Sequence, residues 1–225
     1  LDAAATVGIV EVMPDDDFIV RTINPGDSEE LVSSLDWATA EMLAVPVTQG
    51  KDDKEKASKK FQERWLNYYG PPRHIPGVSF FKAISDEQGV RTPPGFFRDK
   101  IVYVGAHVIT WLQGERKDEY RSPYSFWLTS VKARKFMPGV EIHATVFLNL
   151  ARNEWLTRLP RRQEGLISIV AGLILGVGLL HLRPVWAILT ALAVIVVASV
   201  GAYLAFTRYL VWTPWLVLVA GQIPI

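Results

Sequence analysis

From Gly165 to Ile225 the only formally charged residues are Arg183 and Arg208, whereas almost all Asp, Glu and Lys lie before Gly165. One soluble core does not sort its charges in this way, so the chain reads as two parts with different solvents. Gly165–Leu182 is broken only by Ser168 and His181, at the short end of the about 20 apolar residues that cross a bilayer as a helix. Val185–Phe206 is uncharged and longer. Segments apolar on every face over such lengths belong in hydrocarbon. Leu210–Ile225 starts a third such segment, interrupted by Pro214. The expectation is an all-α transmembrane bundle of helices at 165–182, 185–206 and 210–225. Arg183-Pro184 and Thr207-Arg208-Tyr209 are connectors short enough to force antiparallel neighbours. Gly172 and Gly176 have the small-xxx-small spacing that lets helix backbones approach closely; chance spacing in a glycine-rich helix is the alternative.

The remaining composition mainly excludes. With 24 Lys and Arg against 23 Asp and Glu in 225 residues, the net charge of +1 carries no nucleic-acid signature. The absence of cysteine rules out a disulfide framework, a thiolate metal site and a cysteine nucleophile. The opening "LDAAATVGIVEVMPDDD" has no basic start of the signal-peptide kind, and both ends read as cuts within a longer sequence.

Before the apolar part, Val7–Val12 and Phe18–Ile23 read as strands joined by the acidic turn "MPDDD". Leu31–Leu43 reads as an amphipathic helix with Leu31, Leu35, Ala38 and Met42 on one stripe and Asp36 and Glu41 off it. "KDDKEKASKK" is a solvated loop or helix start. "RWLNYYGPP" is an extended segment bending at Gly70-Pro71-Pro72. "DKIVYVGAH" is β-branched and aromatic, bounded by turn residues, and predicts a central strand. Pro138-Gly139 sets up a helix over Met137–Ala151 with Val140, Ala144, Phe147, Leu148 and Ala151 on one face. These elements predict a mixed α/β domain, a sheet with flanking helices, over residues 1–157. A juxtamembrane linker over 158–164 and the bundle over 165–225 follow.

Five stretches in this order, "VMPDDDFIVRTI", "LNYYGPP", "FFRDKIVYVGAH", "DEYRSPYS" and "MPGVEIHATVFLNLARNEWL", resemble the second half of the CHASE2 domain, an extracytoplasmic sensory module of bacterial membrane receptors. Closely spaced membrane helices after the domain are typical of that layout. The resemblance implies structural motif positions at Asp15, Asp17 and Arg21 in the acidic turn, Asn67 and Gly70 in the asparagine-tyrosine-glycine stretch, and Gly105 at the end of the central strand. It likewise implies Asp118, Ser122 and Pro123 in one element and Gly139, Glu141, His143 and Ala144 in another. Two features depart from the pattern. Phe18 follows Asp17 where glycine is usual, so the turn need not share its geometry. The connection "AHVITWLQGERK" is longer than usual and carries Trp111. The layout also implies an N-terminal membrane helix, a first half of the sensor and an output domain outside this sequence.

Glu141 and His143 are suitable groups for an acid-base pair or a metal, but residues two apart on a helix point about 200° apart and do not readily share a ligand. A hydrogen-bonded structural histidine is the favoured reading, with Glu141 suited to the positive first turn. Asp15, Asp16 and Asp17 lack the glycine and distal glutamate of a calcium loop, so they read as a solvated turn in which Asp17 can pair with Arg21. His74 reads as a surface loop residue. Asp118 with Ser122-Pro123 reads as a loop bonding its own backbone, or, less favoured, as the rim of a ligand mouth shared with Glu141 and His143. No metal site and no cofactor are expected. No nucleophile elbow, phosphate loop or HExxH pattern occurs, which argues against an enzyme.

Two functional classes remain. The first is a non-catalytic receptor part: a sensor coupled through "NEWLTRLPRRQEG" to the membrane, responding to an unnamed small-molecule or protein signal. The second is a structural or accessory subunit of a larger membrane complex, with Trp65, Trp111 and Trp127 as interface anchors. Expected partners are the lipid bilayer and either other membrane subunits or a second copy. The arginines are ambiguous. Arg158, Arg161, Arg162 and Arg208 on one side of the bundle, against Arg183 on the other, place the large domain in the cytoplasm by charge bias, whereas the resemblance places it outside an inner membrane. Anionic headgroups at the outer surface are an equally good use for those arginines.

Overall fold

The computed structural model describes residues 5–23, 26–27, 32–87, 89–106, 118–126, 136–213 and 215. The chain divides into two compact units, Leu1–Glu154 and Trp155–Ile225.

The first unit is a mixed helix and strand structure whose strands are all short. In chain order it contains β1 (Thr22–Ile23), β2 (Gly26–Asp27), β3 (Val32–Ser33), α1 (Leu35–Met42), α2 (Asp53–Lys60) and β4 (Arg64–Trp65). There follow α3 (Phe80–Ile84), β5 (Glu119–Arg121), β6 (Phe136–Pro138) and α4 (Gly139–Arg152). The antiparallel pairs are β1 with β4, β2 with β3 and β5 with β6. Two parallel bridges, Ile9 to Ser34 and Ile19 to Arg121, connect outlying segments to them. The expected strand at Val7–Val12 is therefore reduced to one bridge. Phe18–Ile23 keeps its extended character, with a bridge at Ile19 and β1 at its end.

Helix α1 starts four residues later than the pattern predicts, because Val32–Ser33 is held by Gly26–Asp27 as a hairpin. Ser34 then caps it, its hydroxyl accepting from the Trp37 N–H at 3.2 Å. The buried residues of α1 are Asp36, Trp37, Ala38 and Ala40, whereas Met42 is 57% exposed. Of the expected stripe Ala38 is buried, Leu35 half-buried and Met42 exposed, while Leu31 lies outside the described residues; Trp37 fills the core, and Asp36 goes inside because a partner waits there. Chain 5–12 approaches this helix start so closely that a Cβ on Gly8 would lie 2.6 Å from the Leu35 backbone. The charge run forms α2, capped by Asp52, and it buries no residue.

The expected central strand "DKIVYVGAH" is not one. Among the described residues 99–106 no ladder is formed, Ile101 and Val104 are 49% and 74% exposed, and His107 lies outside the described residues. Strand propensity reflects a pleated, half-buried setting, and none of the described strands supplies it. The segment is instead fastened at two points. The Tyr103 ring lies 6.2 Å from that of Phe147, and Gly105 passes so near α4 that a Cβ would be 2.7 Å from Val140 Cβ.

Helix α4 is the axis of the unit. Its first turn follows Pro138, and it ends in a left-handed Asn153 whose N–H returns to the Leu150 carbonyl. Ile142, Val146 and Leu150 are its fully buried apolar residues, and Trp37, Ile19, Val20, Leu66 and Met137 are likewise buried in the unit; α4 packs against α1 and β6. The face expected from Val140, Ala144, Phe147, Leu148 and Ala151 is shifted: only Phe147 of these is buried, Val140, Ala144 and Leu148 are half-buried, and Ala151 is exposed. Buried polar groups turned the helix, as shown below.

The second unit holds β7 (Thr157–Arg158), α5 (Arg161–Leu180), α6 (Pro184–Tyr209) and β8 (Val211–Trp212). Arg162–Leu180 and Pro184–Tyr209 are long and apolar enough to cross a membrane. Pro184 occupies the first turn of α6, where its missing N–H costs nothing. Strands β7 and β8 pair in parallel, with Thr157 opposite Val211, so the start of α5 and the end of α6 lie side by side. The segment expected as a third helix does not begin at Leu210, which is a left-handed cap followed by β8; beyond Thr213 all but Trp215 lies outside the described residues. A Cβ on Gly176 would meet nothing within 4 Å, so α6 does not approach α5 closely at Gly176. A crevice of about 210 Å³, apolar but for Glu164 and Thr213, runs between the helices beside Leu159, Ile167, Gly201 and Trp215.

Candidate functional site

Along α4 three buried polar side chains each hold a different segment, and together they form the most ordered polar constellation of the first unit. Glu141, in the positive first turn, accepts from the Arg73 N–H at 2.9 Å and the Ile75 N–H at 3.3 Å. Asn149 accepts from the Asn67 N–H at 2.8 Å and donates to the Asn67 carbonyl at 2.9 Å. One side-chain amide thus replaces a strand neighbour for the chain after β4. Between them, His143 Nδ1 lies 2.8 Å from Asp36 Oδ2, with the His143 side chain 5% and the Asp36 side chain 0% exposed.

This last pair is incomplete. Asp36 Oδ1 and the Tyr103 hydroxyl are both shut off from solvent with no hydrogen-bond partner among the described residues. The two groups nevertheless feel each other: burial and then the Asp36 charge push the Tyr103 phenol well above its ordinary range. Burial likewise raises the Asp36 carboxyl, and the His143 hydrogen bond and charge pull it back. A buried carboxylate, imidazole and phenol therefore meet where α1, α4 and the 99–106 segment converge. Such a cluster can hold or release a proton; it has no nucleophile arrangement, and among the described residues no group of three potential ligands holds a metal.

The acidic turn is a second constellation. Arg21 Nη1 donates to Asp15 Oδ2 at 2.6 Å and to Asp17 Oδ1 at 2.8 Å, and Nη2 donates to Asp17 Oδ2 at 2.6 Å. The Arg21 hydrogen bond holds the Asp17 carboxyl down at about 2. The Phe18 N–H donates to the Asp15 carbonyl at 2.8 Å, with Phe18 itself at φ 62°. The turn therefore takes the left-handed geometry that glycine favours, despite a phenylalanine. The expected Asp17 to Arg21 pairing is present, and Asp15 joins it.

The other residues singled out by sequence serve neighbouring contacts. The carbonyl of Asp118, at φ 61°, accepts from the Gly139 N–H at 2.8 Å. The Ser122 N–H donates to Ser125 Oγ at 3.0 Å at the head of a short 3-10 turn beginning at Pro123. Ser122 Oγ is buried without a partner among the described residues. Gly70 leaves room for the His74 ring, which is exposed as expected. Ala144 is half-buried beside His143. Glu141 and His143 are not brought to one ligand: one serves a loop backbone and the other α1. Trp65 is half-buried, while Trp111 and Trp127 lie outside the described residues.

Sequence reasoning missed Asp36, Tyr103 and Asn149. Asn149 left one signal, a lone amide inside the apolar run "TVFLNLA"; Asp36 left none, since an acid on an amphipathic helix reads as its wet face.

No curated protein and no solved structure matches the chain. The family model of the CHASE2 domain matches residues 2–178, which takes in the whole first unit and continues into α5. With that match over more than half of its length, the chain belongs to the CHASE2 family.

Proposed function

We propose that the chain is the extracytoplasmic sensor and the membrane-spanning part of a bacterial signal-transduction receptor, without catalytic chemistry of its own. CHASE2 is a sensory extracytoplasmic domain, and the observation that carries the reading is the reach of the family match from the folded unit into an apolar helix. Helix α6 has 26 residues, about 39 Å at 1.5 Å per residue, enough for a hydrocarbon core of about 30 Å. On this reading the chain is multi-pass in an inner membrane, and its arginines at the β7 and β8 end meet anionic headgroups. A signal acts by binding one state of the sensor better than another; a tenfold preference shifts the balance by about 1.4 kcal/mol.

The accessory-subunit reading has its own supporting observation. Phe80, Phe81 and Ile84 of α3 are each more than 60% exposed, an apolar cluster of the kind that other chains cover.

Orientation is the sharpest test, and the absence of cysteine makes it clean. Lys54→Cys on α2 and Arg183→Cys in the α5 to α6 turn are introduced singly and treated with an impermeant maleimide. Labelling of Lys54→Cys in intact spheroplasts, with Arg183→Cys labelled only after permeabilisation, is expected. The reverse pattern overturns the sensor reading.

A further inference from the structure

The unfinished hydrogen bonding at Asp36 points to what the buried cluster does. Asp36 Oδ2 is bound by His143, while Asp36 Oδ1 and the Tyr103 hydroxyl are both buried with no partner in hydrogen-bond geometry among the described residues. Asp36 and Tyr103 still stand close enough to shift each other's ionisation, and Thr39 is close enough to act on Tyr103. A buried polar group left unpaired is costly, and a charged one more so. Both orphan groups lie at the junction of three elements, and one of the three, the 99–106 segment, has no ladder to hold it.

We propose that the Asp36–His143 pair is a proton-operated latch for Tyr103. With its shared proton the pair is neutral, and Oδ1 is a weak acceptor. When that proton leaves to solvent, the pair becomes a buried anion, and Oδ1 draws the Tyr103 hydroxyl into a charge-assisted hydrogen bond. The phenol keeps its own proton and donates it, because burial and the Asp36 charge oppose its ionisation. Segment 99–106 is then pinned to α1 at high pH and released at low pH.

The titratable groups that face the carboxylate are His143 from α4 and Tyr103 from the segment. Thr39 of α1 gives its own hydroxyl to the Leu35 carbonyl at 2.7 Å, and Arg64 of β4 stacks 5.4 Å from the neighbouring Trp37 ring. The latch deepens the sensor reading, on which its biological meaning rests, by naming the proton as the species that separates the two states.

The test uses the full chain in lipid nanodiscs with ¹⁵N-imidazole histidine. The chain has four histidines, and His74→Gln, His107→Gln and His181→Gln assign the His143 signal by elimination. The pH at which that signal changes, wherever it falls, is the midpoint of the latch. Tyr103→Phe keeps the ring against Phe147 and removes the hydroxyl, so the deprotonated state loses its donor. The midpoint then rises by about one pH unit, tenfold in proton affinity. Amides of 99–106, corrected for intrinsic exchange, gain protection above the midpoint in the parent and not in Tyr103→Phe. A His143 signal that does not change with pH over the range in which the chain stays folded sinks the latch. So does an identical midpoint in Tyr103→Phe. A titrating latch in a chain labelled with the large unit inside the cell would instead retire the sensor reading and leave the latch standing.

Discussion

His143 and Asp36 meet across the contact of α4 with α1, Nδ1 to Oδ2 at 2.8 Å, with both side chains closed to solvent. Buried pairs of this kind are costly to break from one side, because the survivor keeps its burial and loses its partner.

His143→Ala and Asp36→Ala are each expected to lower unfolding free energy by about 3–5 kcal/mol. The double variant His143→Ala/Asp36→Ala is expected to cost less than the sum of the two, since neither member of the pair is then left buried without the other. Denaturant melts of the four proteins in one detergent measure it. Additive losses would show that the two side chains do not act as a pair.

Asn149 satisfies both backbone groups of Asn67. Asn149→Leu removes the amide while keeping the branched shape of the side chain and leaves an N–H and a C=O without partners, for an expected loss of about 2–4 kcal/mol. Asn149→Asp keeps the acceptor but buries a carboxylate against the Asn67 carbonyl, so at neutral pH it is expected to cost at least as much as the leucine variant. Hydrogen exchange at the Asn67 amide should accelerate in the leucine variant; an unchanged rate would place the burden elsewhere.

The acidic turn gives a pH signature of defined sign. The Asp17 carboxyl is lowered from 3.8 to about 2 by its Arg21 hydrogen bond. A lowered folded value means the unfolded chain binds the proton more readily, so the turn's contribution is present above pH 4 and disappears as pH falls through about 2. Arg21→Gln is expected to flatten stability against pH between about 4 and 2, seen as a smaller change in denaturation midpoint. An equal slope in both proteins would assign the acid loss to other carboxylates.

The legible parts of this fold are those set by local chemistry. Pro138-Gly139 opens α4 as the sequence predicts, and Pro184 opens α6; the caps Ser34 of α1 and Asp52 of α2 are just as local, yet the apolar pattern places the first helix from Leu31 and misses the Ser34 cap. The two long apolar helices were equally plain, because hydrocarbon demands continuity of composition. What misled was anything dependent on distant partners. "IVYVG" has strand chemistry, yet propensity cannot supply a neighbouring strand. Asp36 is spaced like a wet residue of α1 and was drawn inside by a histidine more than a hundred positions away. The structural reading of His143 followed from helix geometry, whereas the identity of its partner did not. The pairing of Arg21 with Asp17, four residues apart, lay within reach of the sequence, and the third member, Asp15, came with the tightness of the turn.

The parallel pairing of Thr157–Arg158 with Val211–Trp212 has a mechanical meaning. The Thr157 N–H donates to the Leu210 carbonyl at 2.8 Å, and the Arg158 guanidinium lies 4.8 Å from the centre of the Trp212 ring. A stroke of α5 along its own axis, with α6 held still, would have to shear that short ladder and unstack that ring. Tilting or rotating both helices as one body breaks neither. The hairpin is therefore geared against piston motion, and whatever reaches Thr157 is delivered to both helices at once.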